Sequence, residues 1–377
     1  MQSRMNPEPG RAFFPATCHP PLTRRQLLVG GGALIATGAL GGRGREASAK
    51  VTDDGAAIIR LYATAPDDPW MVAHGLRAMG RSFTLRDGRR AVDYLLETQL
   101  TSVAANGKRV LGFPEEIEFH PNMFLKTMLE AGVPLDHAFT LQGRRQALQD
   151  VVDGARALLR PAQIASVPNA LPWSLIALTR TTPAVRGQWT NAWGEPVDLD
   201  ALVENALRLL EQASLPVARA MREGRPQTGQ APVHGFTCGG THMIYGLLSA
   251  LQAGYAGKDR RQRMQQQMDV LVWRLSADLD LMDRVYRGRT GDFWFEFDAK
   301  LKLLGHAEEC LAFAAVHKVS TLTPAQRTQW QAASLTLRQL LRDLEARKLE
   351  EAKMLDRDLY RQLAGDTCHA RHGLTLT

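Results

Sequence analysis

The feature that most constrains the fold is the spacing of apolar residues, which recur every three or four positions through most of the chain. The segment from Arg144 to Leu159 shows this spacing, and so do Leu199 to Met221 and the long segment Asp259 to Val285. Side chains three and four residues apart lie on one face of an α-helix, so the pattern predicts amphipathic helices. Roughly ten or more such helices are expected, and convincing strands are few.

Local signals mark where several of these helices begin. Proline stands at a predicted helix start in Asp68-Pro69-Trp70, His120-Pro121-Asn122 and Leu171-Pro172-Trp173, and again in Thr323-Pro324. A polar N-cap residue followed by proline in the first turn is typical of helix N-termini. The helix that opens at Pro324 is predicted to be the last one, ending near Leu363.

One segment alternates strictly instead. Asp292 to Asp298 reads Asp-Phe-Trp-Phe-Glu-Phe-Asp, with three Phe on one face and three carboxylates plus Trp294 on the other. A period of two predicts a half-buried strand. Asp292, Trp294 and Glu296 would then place an aromatic ring beside paired carboxylates, which is typical of a substrate-binding site for glycans. In the alternative, Trp294 only packs in the core and Asp298 only caps a following helix.

The predicted helices, joined by short turns marked by Gly and Pro, indicate a single all-α domain. Its run His234-Gly-Phe-Thr-Cys238-Gly-Gly-Thr-His242 resembles the Gly-rich entries to inner helices in α/α-toroid proteins. These include glycan-processing hydrolases, lyases and epimerases, and zinc-dependent rings. The resemblance implies a ring of helical hairpins and no particular catalytic residue. An irregular helical bundle is the alternative architecture.

The first 49 residues read as an export leader. Thr23-Arg24-Arg25-Gln26-Leu27-Leu28 precedes a short apolar run rich in Gly and Ala, and Ala47-Ser48-Ala49 closes it. This order resembles a twin-arginine signal peptide with its cleavage site. The resemblance implies the twin-arginine translocase as a partner during export, and a mature protein located in the periplasm or secreted. The alternative is a disordered basic leader followed by a buried helix.

Removal of the leader changes how charge and domain organisation are interpreted. The net charge of +7 for the whole chain includes +4 from residues 1–49, six arginines less two glutamates, which leaves +3 for the mature part. The basic charge that would have indicated nucleic-acid binding therefore lies mostly in the leader and not in the mature protein. No later apolar run is long enough for stable membrane insertion. Residues 50–364 are predicted to form the helical domain and residues 365–377 a mobile C-terminal tail.

Two Cys/His pairs are candidates for a metal site. Cys238 and His242 are four residues apart at a predicted helix start, and His306 and Cys310 are four apart within a helix predicted over residues 299–317. Two thiolates and two imidazoles are the ligand set of a tetrahedral zinc site. If only three of them bind the metal, Glu308 or Glu309 is positioned to act as general base on a metal-bound water. His234, in the loop before Cys238, is a further catalytic candidate.

The same residues allow two simpler interpretations. In an oxidising compartment, Cys238 and Cys310 can form a disulfide that ties distant segments together. In the second interpretation, Cys238 and Cys310 are small buried apolar residues and the histidines are hydrogen-bonded structural residues. Cys368, His369 and His372 in the predicted tail also offer metal ligands, and there we expect only adventitious binding.

Phosphate loops, dinucleotide-binding and serine-hydrolase motifs and haem-attachment motifs are missing from the sequence. The sequence favours a periplasmic hydrolase or lyase that acts on a cell-envelope or imported glycan or peptide at a Cys/His/Glu site. The alternative is a non-catalytic metal-binding protein, or a binding or assembly factor of the envelope.

Overall fold

The computed structural model describes residues 54–165 and 167–376, and the predicted leader lies outside them. This part of the chain is an all-α domain, as the apolar spacing predicted. The helices are α1 Ala56–Tyr62, α2 Pro69–Met79, α3 Ala91–Tyr94, α4 Met123–Glu130, α5 Leu148–Leu158, α6 Pro161–Ala165, α7 Leu171–Thr181, α8 Leu199–Arg222, α9 Thr241–Gln252, α10 Arg260–Tyr286, α11 Phe293–His317, α12 Pro324–Ala346, α13 Glu350–Leu355 and α14 Arg357–Leu376.

Beta structure in the described residues consists of three two-stranded antiparallel hairpins and an isolated bridge between Thr84 and Arg90. The strands are β1 Thr101–Ala105 with β2 Lys108–Gly112, β3 Ala138–Leu141 with β4 Arg144–Ala147, and β5 Gln188–Thr190 with β6 Pro196–Asp198. Each hairpin connects helices and none of them extends into a larger sheet.

The predicted helix starts are confirmed where the capping residue acts locally. Asp68 Oδ1 accepts a hydrogen bond from the backbone of Met71 at 3.1 Å, ahead of Pro69. At α12, Thr323 Oγ1 accepts from the backbone of Gln326 at 3.2 Å, and the Gln326 side chain accepts from the Thr323 backbone at 2.8 Å. These bonds satisfy N–H groups that the helix itself leaves without partners.

Six helices contact one another in a closed cycle. The contacts run from α2 to α4, α7, α9, α11, α14 and back to α2. Helices α8, α10, α12 and α13 pack around the outside of this cycle, and α11 is buried on nearly every side because it contacts α9, α10, α12 and α14. The arrangement of helical hairpins that defines a toroid stays a prediction.

The strand predicted over Asp292 to Asp298 is wrong. These residues form a short 3₁₀ turn and then the first turns of α11. Phe293 and Phe297 are two residues from Phe295 but four residues from each other, so the segment satisfies the helical period as well as the alternating one. Its continuity with residues 299–317, which follow helical spacing, decides in favour of the helix.

The residues predicted as a tail also have a different structure. Residues 365–376 continue α14, and most of their side chains are buried, including Asp366, Cys368, His369 and His372. The domain therefore extends to the end of α14. The segment packs against α11 and α2, and this contact orders it although it lies at a terminus.

Helices α11 and α14 approach closely because glycines lie in their contact. A Cβ built at Gly305 would lie 3.2 Å from the Ala370 backbone nitrogen, and one at Gly373 would lie 2.6 Å from the backbone nitrogen of Glu309. The mid-helix glycine at position 305 thus permits the close helix approach that such a residue often indicates.

We expect Gly373→Ala to lower the free energy of unfolding by about 1–3 kcal/mol, because the added methyl group meets backbone that cannot rotate away. Urea denaturation followed by circular dichroism measures this change. Gly291→Ala is the matched control, since a Cβ there would meet no atom within 4 Å in the described structure, and its effect should stay within about 0.5 kcal/mol. Equal effects of the two variants would contradict the packing explanation.

Among the described residues, no helix has both the length and the apolar character needed to cross a bilayer.

Candidate functional site

The ring of six helices surrounds a small chamber of about 30 Å³. Every helix of the cycle presents at least one side chain to it, and the loops before α4 and α9 add one each. The lining residues are Trp70, His74 and Arg77 of α2; His120, Met123, Lys126 and Thr127 at α4; Trp173 of α7; Cys238 and His242 at α9; Lys302 and His306 of α11; and Gln362, Asp366 and His369 of α14.

Cys238 reaches the chamber from a turn with unusual backbone geometry. Cys238, Gly239 and Gly240 have φ values of 50°, 65° and 84°, and α9 begins directly after them. Glycine adopts this left-handed conformation readily, whereas a cysteine there is uncommon and strained. Backbone strain of this kind clusters at functional sites.

Three of the predicted metal ligands come together at this turn. One ligand atom each of Cys238, His242 and His306 lies within 4.8 Å of the other two, and all three residues are buried. Cys238 and His242 come together, although Cys238 lies in the left-handed turn and not on α9. His306 approaches from the neighbouring helix α11. Asp366 Oδ1 lies 3.1 Å from His306 Nε2, so a carboxylate orients this imidazole.

A second group of candidate ligands shares His306. Ligand atoms of His306, Glu309 and His369 also lie within 4.8 Å of one another. Glu309, however, already forms an ion pair with Arg77, whose Nη1 lies 2.8 Å from His369 Nδ1. A guanidinium in contact with both groups opposes a cation there, so the group with Cys238 is the better metal site.

Three histidines of the chamber, His74, His242 and His369, are neutral at pH 7. Burial lowers the pKa of His74 to about 3 and lowers the pKa of His242 and His369 well below the ordinary value, with His306 adding to the effect on the latter two. Neutral imidazole has a free ring nitrogen, which metal coordination requires.

Charged side chains on α11 and α14 form the floor of the chamber. Lys302 Nζ donates to Asp298 Oδ2 at 2.8 Å and to Gln362 Oε1 at 2.7 Å, and lies 3.7 Å from Asp366 Oδ2. Burial raises the pKa of Asp298 to about 7 against the lowering by Lys302, and the neighbouring Asp366 raises it further. Burial by itself lowers the pKa of Lys302, but Asp298, Asp366 and Cys238 together raise it above its usual range.

One polar atom that borders the chamber, Nε2 of the buried His120, has no hydrogen-bond partner among the described residues. Buried polar groups in native proteins nearly always bind protein, water or an ion. A cavity of about 10–15 Å³ already holds a water molecule, so this chamber has room for water or an ion beside this atom.

Aromatic rings also line the chamber. Trp173 stacks on His120 with ring centroids 3.9 Å apart and planes at 15°, and it contacts His242 at 4.6 Å. Trp70 packs on His74 at 3.9 Å. These rings hold the imidazoles in fixed orientations.

Other predicted site residues lie outside the chamber. Cys310, the fourth predicted metal ligand, donates from Sγ to the backbone oxygen of Thr241 at 3.3 Å and belongs to neither ligand group. Glu308 Oε2 accepts hydrogen bonds from Trp330 and Ser334 at the contact with α12, away from the histidines. Glu309 does reach the buried histidine cluster.

His234 lies in a separate buried network behind the Cys238 turn. Its Nε2 is 3.1 Å from Asp278 Oδ1, and Asp278 Oδ2 accepts from Arg274 Nε at 2.8 Å. Arg274 Nη1 also donates to the backbone oxygen of Gly239 at 2.8 Å. His234 is thus connected to the Cys238 turn through Asp278 and Arg274.

The predicted substrate-binding face of residues 292–298 does not form. Trp294 is buried and packs on Phe297, while Glu296 pairs with Lys300 at 2.6 Å. Asp292 precedes the first residue of α11, and its ion pair with Arg289 is 3.6 Å long. None of the three lines the chamber, and the alternative in which Trp294 packs in the core is confirmed.

No disulfide links the cysteines of the described chain: Cys238, Cys310 and Cys368 are all thiols. The predicted bridge between Cys238 and Cys310 is therefore not formed, and burial raises the pKa of the Cys310 thiol.

The sequence interpretation missed several chamber residues, namely Arg77, Lys126 and Asp366, and it assigned only adventitious metal binding to His369. The spacing of polar residues within apolar helices is a sequence signal that indicates such buried polar residues. Gln362, Asp366 and His369 are four and three residues apart, as are Lys302, His306 and Glu309, and such spacing aligns them on one helix face.

Searches against protein families, curated proteins and solved structures find no match to this chain.

Proposed function

We propose that this chain is an exported metalloprotein that holds one transition-metal ion in the central chamber, with zinc the first choice. The ligands are Cys238, His242 and His306, and a water molecule completes the tetrahedron. The observation that carries the proposal is the convergence of these three buried ligand atoms within 4.8 Å. Three protein ligands of nitrogen and sulfur with an open fourth position are typical of catalytic zinc.

The surroundings of the three ligands support the proposal. Asp366 holds the His306 ring, in the way that carboxylates orient metal-binding histidines. The neutral state of His242 leaves a ring nitrogen available, and the Lys302 ammonium is close enough to Cys238 to favour a thiolate. A metal-bound water would also supply a partner for His120 Nε2, which has none among the described residues.

The size of the chamber limits the chemistry. Ligand pockets for drug-sized molecules measure about 300–1,000 Å³, whereas this chamber measures about 30 Å³. A glycan or peptide does not fit in it, so the hydrolase or lyase activity predicted from the sequence gains no support from this geometry. A zinc-bound water acting on a very small substrate does fit, and so does a non-catalytic metal site.

Export through the twin-arginine pathway is part of the proposal. A site this deeply buried, with ligands from α9 and α11, assembles only when the ring has closed. Loading of the metal before export of the folded protein follows naturally from such an arrangement.

The test is metal analysis of the purified mature protein, followed by titration of the metal-free protein with Co²⁺. We expect about one metal ion per chain and a thiolate-to-cobalt charge-transfer band, because Cys238 is a ligand. His242→Ala, His306→Ala and Cys238→Ser should each weaken Co²⁺ binding by about 100-fold or more, and Asp366→Asn by about 10–100-fold.

Cys310→Ala and Glu308→Gln are the matched controls, since both residues are buried on α11 outside the chamber. They should bind Co²⁺ as tightly as the wild type. A protein that lacks stoichiometric metal and shows no charge-transfer band would refute the proposal. Equal losses in Cys310→Ala and Cys238→Ser would refute the ligand assignment.

One observation favours a second candidate function, a thiol nucleophile. Cys238 lies on a strained turn at the start of α9, near an imidazole that a carboxylate orients, and this is the arrangement of cysteine hydrolases. The two functions differ in their response to metal. If Cys238 is a metal ligand, Zn²⁺ protects it from iodoacetamide, whereas a free nucleophile is alkylated at the same rate with and without the ion.

A further inference from the structure

The geometry points to a second binding site, separate from the chamber, that takes one long uncharged hydrocarbon chain such as the acyl or isoprenoid chain of a neutral lipid. The site is a cavity of about 820 Å³ between the β1–β2 hairpin, residues 113–122, α5 and α6. Its volume lies within the range of about 300–1,000 Å³ that is typical of small-molecule pockets.

The walls of this cavity are mainly apolar. Val103 and Leu111 contribute from the hairpin, Phe113 and Phe119 from the segment after it, and Leu125 and Val151 from α4 and α5. Large apolar surfaces in contact with water are unfavourable. Binding of a hydrocarbon that displaces water from a cavity of this size therefore lowers the free energy.

The charges around the cavity argue that the occupant is uncharged. Arg160 is already paired with Glu195 at 2.7 Å and lies over the Trp193 ring, 5.0 Å from its centroid. Both carboxyl oxygens of Glu118 accept backbone hydrogen bonds at the start of α4, at 2.6 and 3.0 Å. The remaining charged residue of the lining, Glu115, is exposed to solvent. The walls therefore offer no buried and unpaired charge to a carboxylate, phosphate or ammonium headgroup.

Helix α4 separates this lipid cavity from the metal chamber. Leu125 lines the cavity, and the adjacent Lys126 lines the chamber on the other side of the helix. The two sites share no lining residue. The lipid site is therefore independent of the proposed metal, and either proposal can fail while the other stands.

The experiment uses the mature full-length chain and the uncharged fluorescent probe N-phenyl-1-naphthylamine. We expect a saturable rise in fluorescence that hexadecanol reverses by competition. Hexadecanoate at pH 8 and hexadecyltrimethylammonium should compete at least 10-fold less well, because the walls supply no buried and unpaired charge for either headgroup. Absence of saturable probe binding, or equal competition by the charged chains, would overturn the proposal.

Two variants locate the site. Val151→Trp fills the cavity from α5, and Val167→Trp narrows it at a position that is 47% exposed, where a larger side chain leaves the core intact. Each should weaken probe binding at least 10-fold. Ala332→Trp, on the exposed face of α12, is the matched control and should bind the probe as the wild type does. Unchanged binding in Val167→Trp, with its fold verified by circular dichroism, would place the probe elsewhere and refute the assignment.

Discussion

Replacing Arg77 by methionine should lower the free energy of unfolding by about 3–5 kcal/mol. Arg77 is almost fully buried and pairs with two carboxylates, Glu130 at 2.6 Å and Glu309. Lys126 also reaches Glu130, at 2.9 Å. The other described partners of Glu309 are the imidazoles of His369 and His372, and burial lowers the pKa of both, so Arg77 is its permanent cation. Methionine keeps much of the volume and leaves a buried carboxylate without its compensating charge. Urea unfolding at pH 7 measures the loss.

The pH dependence separates this charge effect from a packing effect. Burial by itself raises the pKa of Glu130 and Glu309, but Arg77 outweighs it and lowers both in the folded protein. Their contribution to stability is therefore present above the unfolded pKa, about 4.3, and is lost as pH falls through the folded values. In Arg77→Met the pKa of Glu309 rises. Glu309 then takes up a proton at a higher pH, which removes the uncompensated buried charge. Its deficit relative to the wild type should shrink between pH 7 and pH 5.

Arg225→Met is the control for Arg77, because the pair of Arg225 with Glu223 is exposed. Its cost should be within about 1 kcal/mol. An Arg77→Met variant that loses no more than this control would show that the ion pairs at the chamber do not stabilise the fold. A deficit that stays constant with pH would show that lost packing, and not charge, causes the effect.

The second large effect is expected at Arg274, behind the Cys238 turn. Arg274→Met should cost about 3–5 kcal/mol, since it removes the cation that pairs with the buried Asp278. It also removes the donor to the backbone oxygen of Gly239, 2.8 Å from Arg274 Nη1. Because Gly239 follows Cys238 directly, the left-handed turn loses its support. Co²⁺ affinity should fall by about 10–100-fold, as expected when a group that orients a ligand is lost.

A double variant distinguishes positioning from general stability. Adding Asp278→Asn to Arg274→Met removes the uncompensated charge while keeping an acceptor for His234, so at least half of the lost stability should return. The Gly239 oxygen still lacks its donor, and Co²⁺ affinity should stay low. If affinity recovers in step with stability, Arg274 is only a structural residue.

Helix boundaries with a local cause could be predicted well from the sequence. The starts of α2 and α12 follow from Asp68-Pro69 and Thr323-Pro324, where a side chain bonds backbone within the same turn. Cys238 and His242 also come together as the sequence predicted, but the left-handed turn before α9 brings them together and not a shared helix face. In these cases all partners lie within a few residues along the chain.

Other outcomes depended on neighbours distant in sequence. Both the helical and the alternating period are present in residues 292–298, and the continuation into α11 decided between them. Cys310 and Glu309 follow His306 by one turn, yet Glu309 contacts the histidines of α14 whereas Cys310 contacts the backbone of α9. On a helix buried on all sides, spacing alone cannot say which face meets which partner.

The sequence by itself determined that this chain forms amphipathic helices, where several of them begin, and that Cys238, His242 and His306 are chemically suited to hold a metal. Only the tertiary structure decided that α14 closes the ring and brings Asp366 and His369 to His306, sixty and sixty-three residues away. It also decided that Cys310 lies outside the group of candidate metal ligands and that no disulfide forms among the described cysteines. The physical reason is that capping bonds and helical faces depend on short-range geometry, whereas a buried polar site depends on which helices pack together, and this is settled by the burial of the whole core.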